Sequence, residues 1–300
     1  MMKPITSANF NKIVILQSLE TGRTGNKLQD DLSTFKIYTD DIVTTDLIDV
    51  ANKKDFLSSL SNIKDDVQHG KYRPIIHIET HGDKSGLMLA STESITWQDM
   101  KGPLSEINIE MRLNLFVCIS ACHGGYLANV LDTNDRAPCF ALIGPKETMC
   151  ANDLLKDYTN FYEEIFKTKS GSTAIKRLNN NLTGNHAKYY FTTAELFFEV
   201  VWINYLHKHC SNDNLNKRAN DMRRQLKKNN LQDIPSRNAM KKKLLFTHPS
   251  HFIKSKETFF MMDLFEENRD RFSAEYEIIR KKSIGTQEID LVDPAQATGR

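Results

Sequence analysis

The sequence predicts an α/β protein, with a mostly parallel sheet flanked by helices on both faces and a C-terminal helical extension. Three observations carry this prediction. Short apolar runs alternate with helical apolar spacing over the first 180 residues. The runs are apolar on both faces, as in a parallel sheet that is covered on both sides. After about residue 185 the pattern is helical, so we predict an α/β domain at residues 1–184 and a helical extension at residues 185–300.

The first half of the α/β domain contains two predicted strands and two predicted helices. Ile13–Gln17 is a continuous apolar run, which is typical of a buried strand. Leu28 and Leu32 keep helical spacing, and the short run Lys36–Tyr38 follows as the second strand. Asp46–Leu60 is predicted as a helix because its apolar residues recur on one side.

The second half of the domain continues the alternation. Pro74–Thr80 is predicted as a buried strand that ends at His81 and Gly82. A helix begins at Thr96, where Asp99 stands at the third helical position of a capping box. The remaining predicted elements are a small ribbon at Leu87–Leu89, a strand at Leu113–Ile119, a short helix at Tyr126–Leu131, a strand at Phe140–Ile143 and a long helix near Leu154–Phe166.

The helical extension has an uneven distribution of charge. Lys217–Lys243 contains ten Lys or Arg residues and two Asp residues, a balance of +8, so the rest of the chain sums to −6. Such a segment most often marks the solvated face of a helix. The alternative is a surface that contacts the phosphates of RNA, DNA or a nucleotide. Glu257–Lys282 is predicted as a further charged helix, and the tail after Ser283 as loosely ordered.

Composition excludes several classes of protein. Of the 300 residues, 40% are hydrophobic and 26% are charged, with a net charge of +2, which excludes a wholly disordered, collagenous or membrane-embedded chain. The most apolar helical stretch, Ala194–Leu206, carries Glu195 and Glu199 and is too short to span a bilayer, so we expect no membrane association. Five cysteines and no secretory start predict reduced thiols in a cytoplasm.

Two chemically reactive side chains follow predicted strands. His81 comes directly after Pro74–Thr80, and Cys122 follows Leu113–Ile119. Parallel sheets bind their ligands at the carboxyl ends of the strands, so both residues belong to the edge where a site is expected. Gly124 and Gly125 let the backbone turn sharply after Cys122 and leave N–H groups near its sulfur. A cysteine with a histidine base nearby is the arrangement that nucleophilic catalysis requires.

The motifs around these residues resemble a known family. Ser120-Ala121-Cys122-His123-Gly124, with His81 41 residues upstream (122 − 81), is similar to the nucleophile motif of caspase-like cysteine peptidases. Ile75–Gly82 resembles the strand and His-Gly pair of that family, particularly of its bacterial CHAT branch. Cys139–Leu178 resembles the segment that follows the nucleophile in CHAT proteins. The resemblance covers about residues 10–180 and implies a caspase-like sheet.

By this resemblance, His81 and Cys122 form a catalytic dyad, and Gly82 helps to form the oxyanion hole. Ser120 lines the pocket for the side chain before the scissile bond, although the family has glutamine or aspartate there. Arg23 lies where caspases bind a substrate carboxylate. The resemblance implies no metal and no cofactor.

The resemblance also implies what the protein does. We expect a thiol protease that cleaves a specific protein substrate within a bacterial antiviral defence or cell-death system. Only about eight residues, Asp132–Cys139, separate the helix after Cys122 from the next strand, which is too short for a cleavable linker. We therefore expect a single chain that is regulated by a protein partner or a nucleotide ligand.

Two alternatives use the same residues. The first is a catalytically inactive caspase-like scaffold that serves for binding. The second is a zinc site, because His77 and His81 are four residues apart, as are Cys118 and Cys122. Residues four apart on a strand are separated by about 13 Å, so one ion reaches both ends only if the strand bends sharply. Cysteines other than Cys122 are predicted to pack in the core.

Overall fold

The protein contains a mostly parallel sheet covered by helices and followed by further helices, as the sequence predicts. The computed structural model of the protein describes residues 10–38, 43–180, 182 and 186–284. The sheet and its helices form one compact unit at residues 10–132 and 136–194. A second compact unit, at residues 133–135 and 195–284, consists mainly of helices.

The described part of the first unit contains eight strands. Their bounds are β1 Lys12–Ser18, β2 Thr44–Asp49, β3 Pro74–Gly82, β4 Gly86–Met88, β5 Ser94–Thr96, β6 Phe116–Ser120, β7 Ala141–Pro145 and β8 Tyr189–Thr193. In the order β2-β1-β3-β6-β7-β8, the first five strands are parallel and β8 is antiparallel to β7. The short strands β4 and β5 form a hairpin at the end of β3.

Helices cover both faces of this sheet. Their bounds are α1 Thr24–Thr34, α2 Lys53–Gln68, α3 Trp97–Glu110, α4 Ala151–Thr168 and α5 Gly171–Leu178. Successive side chains of β1 point to opposite faces. Ile13 and Ile15 therefore pack with residues of α1, α4 and α5, whereas Val14 and Leu16 pack with residues of α2 and α3.

Local capping signals fix where two of these helices begin. At α3, the Thr96 hydroxyl accepts the Asp99 N–H and the Asp99 carboxylate accepts the Thr96 N–H, which confirms the predicted capping box. At α2, the Asn52 side chain accepts the N–H of Asp55. Each cap satisfies N–H groups that have no partner within the helix.

The second strand lies later in the chain than predicted. Lys36–Tyr38 belongs to a 3-10 helix. The strand β2 occupies Thr44–Asp49, so it overlaps the beginning of the predicted helix Asp46–Leu60. The reason is that β2 is an edge strand, so its side chains are only partly buried and it lacks a continuous apolar run. The helix starts only after the Asn52 cap.

Two predictions for the end of the chain are wrong. The strand β8 forms where the sequence analysis predicts only helices, and its aromatic and β-branched residues pair with β7. The predicted helix Glu257–Lys282 is divided among three helices: Met261 adopts a left-handed conformation with φ of 55° after the first of them, and Phe272 is extended after the second. The predicted loosely ordered tail lies outside the described residues from residue 285 onward.

The second unit is built around aromatic side chains. Its helices are α6 Ala194–Cys210, α7 Asn212–Lys228, α8 Arg237–Phe259, α9 Glu267–Arg271 and α10 Tyr276–Ile284. Phe198 of α6 is fully buried against Phe252 and Phe259 of α8 and against Phe260. In the described residues, every helix is too short or too polar to cross a membrane.

Candidate active site

The candidate site lies where the parallel strands end. Gln17 of β1, Glu79 of β3 and Ser120 of β6 are paired across the sheet in one row. The pairing of β3 with β6 ends at Glu79 and Ser120, and His81 and Cys122 each lie two residues further along the chain. The topology therefore brings the two predicted catalytic residues to neighbouring strand ends. This is also the edge at which doubly wound sheets bind ligands.

The main chain brings β3 close to the segment after β6. A Cβ added to Gly82 would lie 2.7 Å from the Cys122 carbonyl oxygen and 3.1 Å from the Ala121 Cβ. Both distances are shorter than ordinary van der Waals contacts, so a side chain at Gly82 would displace one of the two segments. The predicted oxyanion residue Gly82 thus contacts the residue that is predicted to be the nucleophile.

Cys122 is half-buried beneath the loop that follows β7. The Met149 N–H points to the Cys122 Sγ at 3.4 Å, and the Met149 carbonyl oxygen lies 3.7 Å from the same sulfur. The neighbouring residue, His123, has a left-handed backbone with φ of 58°. Its N–H donates to the Glu147 carbonyl at 3.2 Å, and its Nδ1 lies 3.0 Å from the Lys146 carbonyl oxygen. These contacts hold the loop against the thiol.

The glycines after Cys122 have a packing role that the sequence does not reveal. A Cβ on Gly124 would lie 2.6 Å from the Ile119 side chain, and a Cβ on Gly144 would lie 2.4 Å from the Gly124 main chain. The turn is a short 3-10 helix, Gly124–Val130, not an α-helix. Gly124 and Gly144 therefore allow β6 and β7 to pack closely at this edge.

His81 is exposed at the end of β3, opposite Met88 of the hairpin strand β4. Among the described residues, neither ring nitrogen of His81 has a hydrogen-bond partner. The imidazole is therefore open to solvent. In this conformation the Cys122 sulfur contacts the Met149 main chain and forms no hydrogen bond with His81.

The two predicted substrate-binding residues differ in accessibility. Ser120 is 1% exposed, and its hydroxyl has no hydrogen-bond partner in the described structure. Arg23 precedes α1 in a left-handed conformation and lies 3.6 Å from Asp49 in an ion pair. The Arg23 side chain is 60% exposed, so it can reach a ligand in solution.

A buried layer of polar side chains, which was not assigned from the sequence, lies beside the site and is formed by Thr24, His77, Glu79 and Tyr162. The Thr24 hydroxyl donates to Glu79 at 2.5 Å, and the His77 Nε2 lies 3.1 Å from the other Glu79 oxygen. The His77 Nδ1 lies 3.1 Å from the Tyr162 hydroxyl. The sequence indicates this layer through the spacing of His77 and Glu79, because residues two apart lie on the same face of a strand.

The four residues of the zinc alternative have different environments. Both nitrogens of His77 are in hydrogen-bonding contact within the buried layer, whereas His81 is exposed. Burial raises the pKa of the Cys118 thiol to about 12, which disfavours the thiolate that binds zinc. Residues 10–38, 43–180, 182 and 186–284 contain no group of three His, Cys, Asp or Glu side chains arranged to hold a metal ion.

The helical unit contains a contact between another cysteine and histidine. The Cys210 Sγ lies 3.5 Å from the His248 Nδ1. Burial lowers the pKa of His248, and the positive charge of Arg218 lowers it further. Burial raises the pKa of Cys210, although Arg218 opposes this shift. Both shifts disfavour the thiolate–imidazolium ion pair, in which the cysteine is the active nucleophile.

Neither a protein-family model nor a curated protein sequence matches this chain. The function is therefore inferred from the residues at the carboxyl edge of the sheet. Those residues are an accessible imidazole, a half-buried thiol and a glycine in close contact with the thiol's main chain. This set of groups is suited to acyl transfer through a thioester.

Proposed function

We propose that the protein is a cysteine endopeptidase in which His81 and Cys122 form the catalytic dyad. One observation carries the proposal: β3 and β6 are adjacent parallel strands, so their ends deliver both residues to one edge of the sheet. The contact between Gly82 and the Cys122 main chain strengthens it. The family that the motifs resemble, the CHAT branch of the caspase-like peptidases, fits the same residues.

The reaction follows from the chemistry of the two side chains. The Cys122 thiolate attacks the carbonyl carbon of a peptide bond and forms a tetrahedral oxyanion, which main-chain N–H groups such as that of Gly82 stabilise. The carbon–nitrogen bond then breaks, and the protonated His81 ring gives its proton to the leaving amine. Water next attacks the thioester, with His81 as the base, and releases the acid and the free thiol.

Selective modification of the thiols tests the activation of Cys122. Cys150 is the matched control, because it is exposed and precedes α4 without a histidine contact among the described residues. At neutral pH, an activated Cys122 should react with iodoacetamide at least about ten times faster than Cys150, despite being less exposed. Substituting His81→Ala should remove this advantage and leave the rate at Cys150 unchanged. Peptide mass spectrometry of timed samples measures both rates.

Cleavage itself is tested by comparing new N-termini. Wild-type protein and the Cys122→Ala and Cys150→Ala variants are each incubated with a lysate of the host bacterium, and protein N-termini are mapped by mass spectrometry. Termini that appear with the wild type and the Cys150→Ala variant, but not with Cys122→Ala, identify the substrate and the residue before the cut. The same termini in all three samples would contradict the proposal.

The loop after β7 supports a regulated enzyme. Main-chain groups of Met149 contact the Cys122 sulfur, so a movement of this loop would change the surroundings of the thiol. We assign that movement to a protein partner or a nucleotide ligand, within a cytoplasmic defence or cell-death system. A substrate with an acidic side chain before the cut would use Arg23, whose guanidinium is exposed.

The second candidate is an inactive binding scaffold of the same fold. The observation that favours it is the Cys122 contact with Met149 in place of a hydrogen bond with His81. Catalytic hydrogen bonds often form only when substrate is bound, so this geometry is compatible with both candidates. If Cys122 and Cys150 react at equal rates and no terminus depends on Cys122, the scaffold is the correct interpretation.

A further inference from the structure

The basic segment Lys217–Lys243 forms most of α7 and the beginning of α8. The structure describes all of its residues. Its net charge is +8, whereas the net charge of the whole chain is +2. Lys227 and Lys228 end α7 with exposed side chains, and Lys242 and Lys243 are exposed in α8. The positive charge is therefore concentrated on the surface of the helical unit.

Acidic side chains do little to compensate this charge. Of the ten basic residues, only Arg224 has a carboxylate within 4 Å among the described residues, and that ion pair, with Asp221, is 3.7 Å long and exposed. Arg218 donates to the carbonyl oxygen of His209, and Lys241 donates to the side-chain oxygen of Asn212. Long-range repulsion among these cations is relieved when an anionic partner binds.

An exposed aromatic ring lies next to the lysines of α8. Phe246 is 82% exposed, more than any other large hydrophobic residue in the described part of the chain. Lys242 and Lys243 precede it by four and three residues, so all three are neighbours on the helix surface. Proteins that bind single-stranded nucleic acid combine such cations, which contact phosphates, with aromatic rings on which bases stack.

We propose that α7 and α8 bind single-stranded nucleic acid, with Lys227, Lys228, Lys242 and Lys243 contacting phosphates and Phe246 stacking on a base. Insertion into an anionic membrane is the other use of lysines beside an exposed phenylalanine. It requires a continuous apolar face, whereas the exposed polar residue Ser250 lies between Phe246 and Ile253 on their shared face of α8. The surface therefore fits a flexible chain of phosphates better than a bilayer.

Titration of the full-length protein against fluorescent oligonucleotides tests this proposal. The probes are single-stranded RNA and DNA of about 20 nucleotides, enough to cover one binding site. For the wild type, the logarithm of the binding constant should fall linearly with the logarithm of salt concentration. The double substitution Lys242→Gln with Lys243→Gln should weaken binding about tenfold near physiological salt and reduce the slope by about 1.4, because each phosphate contact on a single strand contributes about 0.7.

Two further variants separate charge from stacking. Phe246→Ala should weaken binding to single strands at least about fivefold, with an unchanged salt slope and little effect on duplex DNA. The control is Lys27→Gln with Lys54→Gln, two exposed lysines of the sheet unit that remove the same charge. If this control weakens binding as much as the α8 double variant does, the effect is non-specific and the proposal is wrong.

Vesicles of phosphatidylcholine and phosphatidylserine provide the last arm of the test. Binding to these vesicles that depends on Phe246, without binding to the oligonucleotides, would overturn the proposal in favour of a membrane surface. The peptidase proposal is unaffected by either result, since thiol labelling of Cys122 is measured without nucleic acid.

Discussion

The two units each bring a cysteine and a histidine to one place, and they do so in opposite ways. In the helical unit, Cys210 and His248 are in direct contact, with the imidazole buried and the thiol half-buried. In the sheet unit, Cys122 and His81 come from neighbouring strand ends, where the imidazole is exposed and the thiol half-buried. The contact between Cys210 and His248 is accompanied by burial, which raises the pKa of the thiol and lowers the pKa of the imidazole and so favours their neutral forms.

The largest expected difference between the two pairs is in catalysis. Cys122→Ala should reduce cleavage of the substrate found by N-terminal mapping at least about a thousandfold, as loss of a nucleophile does. Cys210→Ala should leave the rate within about twofold, because we assign Cys210 no part in the chemistry. Initial rates with equal amounts of folded protein measure both effects. Equal losses in the two variants would show that the comparison is wrong.

In the sheet unit, the close approach of Gly82 to the Cys122 main chain holds the two strand ends together. Substitution of Gly82 tests whether this approach positions Cys122. In Gly82→Ala, the new Cβ would clash with the Cys122 carbonyl oxygen, so we expect a loss of about 1–3 kcal/mol in the free energy of unfolding. The iodoacetamide rate at Cys122 should change as well, while that at Cys210 should not.

The control for this substitution is Gly102→Ala. Gly102 lies within α3, and a Cβ there would meet no atom within 4 Å. Alanine is the better helix former, so this variant should be more stable by about 0.5–1 kcal/mol. Urea unfolding monitored by circular dichroism measures both. A Gly82→Ala protein as stable and as reactive as the wild type would show that the close approach does not position Cys122.

Acid pH should weaken the helical unit through His248. Burial lowers the pKa of His248 from 6.5, so the folded state binds fewer protons than the unfolded state when the pH falls below about 6.5. The free energy of unfolding should therefore decrease as the pH falls through and below this value, and the contribution is fully present above it. The titratable and charged groups that face His248 are Cys210, Arg218, His251 and Tyr205. His248→Leu should reduce the pH dependence.

The fluorescence of Trp202, in a Trp97→Phe background, reports urea unfolding of the helical unit between about pH 7.5 and 5.5. Part of the dependence of the free energy of unfolding on pH should persist in His248→Leu, because burial also lowers the pKa of His209. The control is His207, an exposed histidine of α6. His207→Leu should retain the wild-type dependence of the free energy of unfolding on pH. Identical slopes in the wild type and His248→Leu would contradict the assignment.

The smallest effect on stability is expected at Arg23. Its ion pair with Asp49 is long and exposed, so Arg23→Ala should change the free energy of unfolding by less than about 0.5 kcal/mol. If Arg23 binds a substrate carboxylate, KM for substrates with an acidic side chain before the cut should rise about tenfold, with little change in kcat. An unchanged KM would remove Arg23 from the substrate site.

The strands that could be predicted from the sequence are those with continuous apolar runs. β1, β3, β6 and β7 are buried on both faces, so each contains consecutive apolar residues, such as Ile13–Leu16 of β1. The prediction of the second strand at Lys36–Tyr38 is wrong because the edge strand β2 has no continuous apolar run, since only one face of an edge strand needs apolar side chains. β8 was missed although its aromatic and β-branched residues are typical of strands.

Contacts between distant residues could not be predicted in this way. The approach of Gly82 to Cys122 and the contact of Cys210 with His248 join segments about 40 residues apart. No local periodicity encodes such pairs, because they depend on how whole strands and helices pack.

The amino-acid sequence by itself determined the α/β class, the buried central strands, the capping box of α3 and the placement of His81 and Cys122 after neighbouring strands. These features follow from side-chain periodicity, turn residues and caps, which act over a few residues. Only the tertiary structure decided that the Met149 loop contacts the Cys122 thiol, that Ser120 is buried and that Phe246 is exposed. The physical reason is that accessibility and close contact are properties of packed elements, so residues far apart in the chain set them together.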